Sequence, residues 1–217
     1  MFSQSPRTGC LIASFVLFNA GFLAAHDVGS IPNDGSKVHP VLIGASLPAI
    51  EVQDPSGQAV SLNDLVAKKP TVLIVYRGGW CPFCTRHLGD LQTVESKLID
   101  LGYQLLAVSP DRPEKVAAAA KGNTFTYQLL SDSTMKVAKA LGIAFQVEDS
   151  KVKLYKSKYG IDMEADSGQT HHLLPVPSVF IIGTDGVIQF TYINPDYKVR
   201  LNGDVLLAAG RAVLQQN

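Results

Sequence analysis

Thr71-Val72-Leu73-Ile74-Val75-Tyr76 is a β-branched, almost wholly apolar run that delivers the chain to Cys81-Pro82-Phe83-Cys84. Beyond the cysteines Leu88, Leu91, Val94, Leu98 and Leu101 recur at steps of three and four. The first pattern predicts a strand buried on both faces of a sheet. The second predicts an amphipathic helix, which Gly102 ends. A CxxC pair therefore falls between a buried strand and the first long helix, where two thiols can close a small disulfide ring and reopen it. A bridge across two intervening residues removes little entropy from the unfolded chain, so the pair reads as a redox centre and not a structural staple.

The chain has 217 residues, 46% hydrophobic and 18% charged, which suits one globular domain with a substantial core. Lys plus Arg balance Asp plus Glu at 19 each. No basic patch stands out, so a nucleic-acid partner or an anionic membrane surface is not expected. The third cysteine, Cys10, lies in an N-terminal segment in which Arg7 is the only charge, Leu11 to Phe18 is an apolar run, and Ala24 and Ala25 are small. That layout predicts a signal peptide over residues 1–25, cleaved after Ala25, and export to the periplasm or the extracellular space. Cys10 precedes most of the apolar run, which argues against a lipidated cysteine. Beyond this segment nothing resembles a transmembrane helix.

Residues 26–40 carry Gly29, Pro32, Asn33, Gly35 and Pro40 without apolar periodicity and read as a flexible leader to a domain spanning 41–217. Glu51 to Asp54 and Ala59 to Leu62 flank the turn Pro55-Ser56-Gly57, predicting a hairpin, with a helical turn over Asn63 to Val66. Gln104 to Ser109 is a second buried strand, and Pro113 opens an alanine-rich helix over Glu114 to Lys121. A short strand at Tyr127 to Leu130 and a helix over Thr134 to Leu141, closed by Gly142, come next. Gln146 to Leu174 is polar and without strong period, and is expected to be an insertion or long loop with some strand character, its Tyr155 and Tyr159 part of a surface layer. Val179 to Ile182 and Val187 to Tyr192, joined through Asp185-Gly186, predict an antiparallel hairpin. Val205, Leu206, Ala209 and Val213 mark the apolar face of a closing helix. A strand–helix–strand unit followed by a hairpin and a helix leaves several α/β folds open, and the position of the CxxC between a buried strand and the first long helix narrows the choice to a thioredoxin-like fold: a mixed central sheet with helices on both faces.

At the start of the helix, unpaired N–H groups and the positive end of the helix dipole favour a thiolate, the species that attacks peroxides and disulfides. Arg77, four residues before Cys81, adds positive charge. Trp80 supplies a rigid wall, and Pro82 fixes the chain between the sulfurs.

The run Tyr-Arg-Gly-Gly-Trp-Cys-Pro-Phe-Cys over 76–84, the hairpin opening, Ser131-Asp132-Ser133 and Val176-Pro177-Ser178-Val179-Phe180-Ile181-Ile182 resemble the peroxiredoxin-like branch of the AhpC/TSA (redoxin) family. The resemblance covers roughly Leu42 to Phe190. It implies a PxxxTxxC motif with a peroxidatic cysteine at Cys84, a resolving one at Cys81, and an activating Arg far downstream. This chain departs from that pattern, with Arg77 at the Pro position, Cys81 at the Thr position and Pro177 about where the downstream Arg belongs. The CxxC pair and Val-Pro-Ser are thioredoxin-like instead, and in that superfamily imply a cis proline, here Pro177, beside the disulfide.

Two enzymatic readings follow. In one, a thiolate attacks hydroperoxide, becomes a sulfenic acid and condenses with the second cysteine, and a thioredoxin-like thiol reductant resets the pair. In the other, Cys81 attacks a substrate disulfide and Cys84 resolves the mixed disulfide. A metal-binding module using Cys81, Cys84, His171 and His172 is a third, non-enzymatic reading. Phosphate-cradling glycine loops, nucleophilic serine motifs and paired carboxylates are missing from the sequence, which leaves thiol chemistry without a cofactor.

Overall fold

The computed structural model describes residues 30–121 and 126–215. The expected signal peptide, with Cys10 and the cleavage point after Ala25, lies outside the described residues. No helix among the described residues is long and apolar enough to cross a membrane.

In chain order the elements are a 3-10 turn at Gly35–Lys37, β1 (Glu51–Gln53), β2 (Ala59–Ser61), α1 (Leu62–Val66), β3 (Thr71–Val75), α2 (Pro82–Asp100), β4 (Gln104–Ser109), α3 (Pro113–Lys121), β5 (Gln128–Ser131), α4 (Lys136–Ala140), β6 (Ala144–Gln146), α5 (Asp149–Tyr159), α6 (Met163–Ser167), β7 (Leu173–Pro175), β8 (Ser178–Ile182), β9 (Ile188–Ile193) and α7 (Gly203–Leu214). Seven strands form one sheet in the order β2-β1-β5-β4-β3-β8-β9, and β6 pairs with β7 in a small second sheet. The strands β3, β4 and β5 run parallel, whereas β8 lies antiparallel to β3 and β9 antiparallel to β8. The sheet is mixed, as expected.

Strand alternation sorts the core into two layers. Val72, Ile74, Leu105, Ala107, Val179 and Ile181 face α2, α3 and α7. Their neighbours Leu73, Val75, Leu106, Val108, Phe180 and Ile182 face α1 and α4. Both faces are covered, which is why these strands read as continuous apolar runs. Helix α2 buries Leu88, Leu91, Val94 and Leu98 along the predicted stripe. In α7 the buried residues are Leu206, Leu207, Gly210 and Val213, whereas Val205, expected on the inner face, is 52% exposed.

Two expectations change. The 146–174 stretch is not a loop: it holds α5, α6 and the strand β7. Helix α5 buries no residue completely, so no apolar stripe announces it. It ends on Gly160 in the left-handed conformation and is tied by Lys156 to Asp162, 2.7 Å. The described part of the leader is also fastened to the domain. Ile31 and Val38 pack against the core, Gln146 N–H donates to Pro32 O at 2.7 Å, and Val41 N–H donates to Leu141 O at 3.1 Å.

Gly142, the terminator of α4, makes this contact possible. Its φ is +66°, and a Cβ there would collide with the carbonyl oxygen of His39. Gly142→Ala therefore combines a left-handed backbone with a backbone clash, and is expected to destabilise the fold by about 2–3 kcal/mol. Equilibrium urea denaturation should show the lower midpoint.

Candidate active site

The site grows from the carboxyl end of β3. Tyr76 N–H still pairs with Val108 O at 3.0 Å, and the chain then turns through Gly78 and Gly79 into α2. Gly78 has φ +139°, and a Cβ on it would collide with the Trp80 indole and lie 2.8 Å from Asp111 Oδ1. Asp111, just past the end of β4, clamps the turn: its Oδ2 accepts from Gly79 N–H at 2.6 Å and from Ser109 Oγ at 3.3 Å. Burial raises its carboxyl to about 6.

Cys81 is the N-cap of α2, with φ −90° and ψ 110°, and Pro82 follows at the first helical position, where a missing N–H leaves no helical bond unmade. The N–H groups of Cys84 and Thr85 donate to Cys81 O at 3.0 and 3.1 Å. Both cysteines are free of a disulfide, and each is 1% exposed. The Cys84 thiol donates to the Cys81 sulfur, and this hydrogen bond is the main reason that the Cys81 thiol is lowered to about 6. The Cys84 N–H, Arg77 and Arg200 add to the effect. Cys84 moves the other way. Burial raises it most, and the hydrogen bond to Cys81 and the charge there add to the rise. Arg200 opposes this, its Nη2 donating to Cys84 Sγ at 3.2 Å. Burial and the neighbouring sulfur outweigh one partly exposed guanidinium, so Cys81 carries the negative charge.

Arg77 is not a solvated loop charge. It is 5% exposed and lies against three rings, with its guanidinium carbon 4.4 Å from the Tyr197 centroid, 5.1 Å from Trp80 and 5.8 Å from Tyr155. Its Nη2 donates to Tyr155 Oη at 3.0 Å, while Nε finds no partner among the described residues. Each ring contributes on the order of 0.5–2 kcal/mol to holding the cation. Tyr155, expected in a surface layer, is thus part of the site, while Tyr159 is 57% exposed. A cleft of about 470 Å³ opens beside this cluster, lined among others by Arg77, Phe145, Tyr155, Pro177 and Tyr197.

Pro177 lines this cleft together with Arg77 and Tyr155, but the expected cis bond is corrected: every peptide bond among the described residues is trans. The region before β8 continues from β7 through Val176, whose N–H is held by Ile143 O at 2.8 Å. Position 177 carries no cation, but an arginine reaches the dithiol from position 200. Sequence reasoning missed it because the segment after β9 has no motif of its own.

The two histidines have structural partners. His171 Nε2 pairs with Ser133 O at 2.8 Å while its Nδ1 accepts from Leu173 N–H at 2.9 Å, and His172 pairs with Glu164 at 2.8 Å. Among the described residues no group of three or more His, Cys, Asp or Glu side chains is placed to hold a metal ion.

A dithiol at a helix tip, hung from an internal strand of a mixed sheet, defines a thioredoxin-fold thiol oxidoreductase. The model of the AhpC/TSA family matches residues 43–191, and the chain belongs to that family. Among its curated relatives, Peroxiredoxin Bcp of Escherichia coli strain K12 is 26% identical over 170 residues, 78% of this chain and 96% of that one. Two solved structures share the fold. Peroxidoxin BcpB of Mycobacterium tuberculosis has a TM-score of 0.59 at 23% identity, covering 78% of this chain and 96% of that one. Reduced Prx3 of Vibrio vulnificus, in complex with hydrogen peroxide, has a TM-score of 0.64 at 20% identity, with coverage of 78% and 99%.

The Cys81 assignment has a direct pH consequence. Alkylation of Cys81 by iodoacetamide should fall about tenfold per pH unit below pH 6, where the thiol is protonated, and level off above it. In Cys84→Ala the main stabilising hydrogen bond is gone, and the midpoint should rise toward the ordinary thiol value of about 8.5. Absorbance at 240 nm follows the same titration.

Proposed function

We propose that the protein is an exported thiol-dependent peroxidase that reduces hydroperoxides through a Cys81/Cys84 dithiol–disulfide cycle. The observation that carries this reading is the pairing itself: a sulfur that is mostly thiolate at neutral pH accepts a hydrogen bond from the thiol that would resolve it. The Cys81 thiolate attacks the terminal peroxide oxygen, the O–O bond breaks, and the leaving alkoxide or hydroxide takes a proton from solvent. Cys81 is then a sulfenic acid. Cys84 attacks that sulfur, its proton leaves with the hydroxyl as water, and a disulfide forms. A reductant of the thioredoxin type returns both thiols and is itself oxidised.

This order of attack reverses the one implied by aligning Cys84 with the peroxidatic position. Burial at Cys84 and charge support at Cys81 favour the reversal. Membership of the AhpC/TSA family and relatives named as peroxiredoxins support peroxide as the oxidant. The thioredoxin-style alternative shares the low thiol value at Cys81. It is weakened by a trans Val176–Pro177 bond, where the thioredoxin-style reading expected a cis one. Export rests on the composition of residues 1–25 alone, and Edman sequencing of the secreted or periplasmic protein beginning at His26 would bear it out.

Cys81→Ser should lower hydrogen peroxide consumption by about a hundredfold or more, because the nucleophile is lost. Cys84→Ser should still react once and stop as a sulfenic acid, read as a dimedone adduct by mass spectrometry. If Cys84→Ser loses the first turnover and Cys81→Ser keeps it, the roles are the other way round.

A further inference from the structure

Arg200 lies beyond the residues matched by the family model, on the segment between β9 and α7. That segment is fastened on both sides of the dithiol. On one side Tyr197 covers Arg77 and meets Phe83 edge-on. On the other, Leu201 is buried in the α2–α7 core, and its carbonyl pairs with Nε2 of buried His87 at 3.1 Å. His87 sits three residues after Cys84 on α2, so one helix turn sets both the sulfur and the anchor of the strap that reaches it. Burial and Arg200 lower His87 to about 4, which keeps its ring neutral, with the proton on the nitrogen that faces the carbonyl. Arg200 Nε donates to Tyr197 O at 2.7 Å, which aims Nη2 at Cys84 Sγ.

Both cations favour charge on Cys81, but it is Arg200 whose guanidinium hydrogen-bonds Cys84 Sγ, whereas that of Arg77 is committed to its rings. Cys84 is neutral in the resting dithiol and must carry charge when it attacks the sulfenic acid. We propose that Arg200 is the catalytic cation of the resolving half-reaction, stabilising Cys84 as a thiolate while it attacks Cys81. This assignment rests on the peroxidase reading. In that step the Cys84–H bond breaks, the sulfur–sulfur bond forms as the Cys81 S–O bond breaks, and proton and hydroxide leave together as water. No external electrons are needed, because the sulfenic sulfur is reduced as the thiolate is oxidised. In the reverse sense, a reductant thiolate that attacks Cys81 in the disulfide expels Cys84 as a thiolate, which meets the same guanidinium.

Trp80 is the only tryptophan of the chain and stands beside the dithiol, so its fluorescence reports both steps. Full-length protein would be mixed with hydrogen peroxide in a stopped-flow instrument, with acid-quench mass spectrometry assigning the sulfenic acid and disulfide phases. Arg200→Gln should slow disulfide formation at least tenfold more than it slows sulfenic acid formation, and dimedone should trap Cys81 in a larger fraction of molecules. Arg200→Lys keeps the charge without the fork and should show the same inequality to a smaller degree, which also serves if the Gln variant does not fold. Equal slowing of both phases, or slowing of the first alone, overturns the assignment of Arg200. A wild-type protein that shows no peroxide phase overturns the peroxidase reading itself, a different result from a normal first phase with an unchanged ratio.

Discussion

Strand β3 is the constraint from which the rest of the structure hangs. All five of its residues are buried, it pairs parallel with β4 and antiparallel with β8, and helices cover both of its faces. A strand held on four sides has one free direction, outward from its carboxyl end. That end leads through the Gly78 turn directly to the N-cap of α2, itself packed along the sheet through Leu88, Leu91, Val94 and Leu98. The two sulfurs are therefore positioned by two elements packed firmly into the core, which is what pre-organised chemistry at one helix tip requires.

Around this rigid core the charges come from less regular pieces of chain. Arg77 belongs to the turn itself, but the rings that hold it come from α2's approach, from α5 and from the segment after β9. Asp111 clamps the turn from the end of β4. Arg200 reaches Cys84 from a strap pinned by His87. Burying a guanidinium without a carboxylate partner is unfavourable unless its face is shielded by rings and its N–H groups are used. The aromatic cage around Arg77 meets the first condition and Tyr155 part of the second. The result is a positive field that favours one negative charge on the pair, and the hydrogen bond between the sulfurs places that charge on Cys81.

How far the sequence was legible follows from how each residue is held. Strands buried on both faces and helices with one apolar stripe write their pattern into the chain, so β3, α2, β4, α3 and the β8–β9 hairpin were readable within a residue or two. Helix α5 was not, because a helix that buries no residue fully has no stripe to read. Pro177 suggested a cis bond through its neighbours Val176 and Ser178, yet isomer choice depends on what packs around the bond, and here the bond is trans. Tyr155 reads as part of a surface layer and Arg200 carries no motif, since nothing local marks a residue that functions only through a partner at a sequence separation of 78 or 116.

The sequence by itself determined the layer architecture and the chemistry at its centre: a cysteine pair placed at a helix start by a strand that can only be internal. Periodicity and the thiol spacing are local properties, and local properties survive in one dimension. The tertiary structure alone decided which sulfur holds the charge and which arginine touches Cys84. Those outcomes depend on burial, on the hydrogen bond between the two thiols and on a strap that returns from far along the chain, and each of these exists only after the segments have met in space.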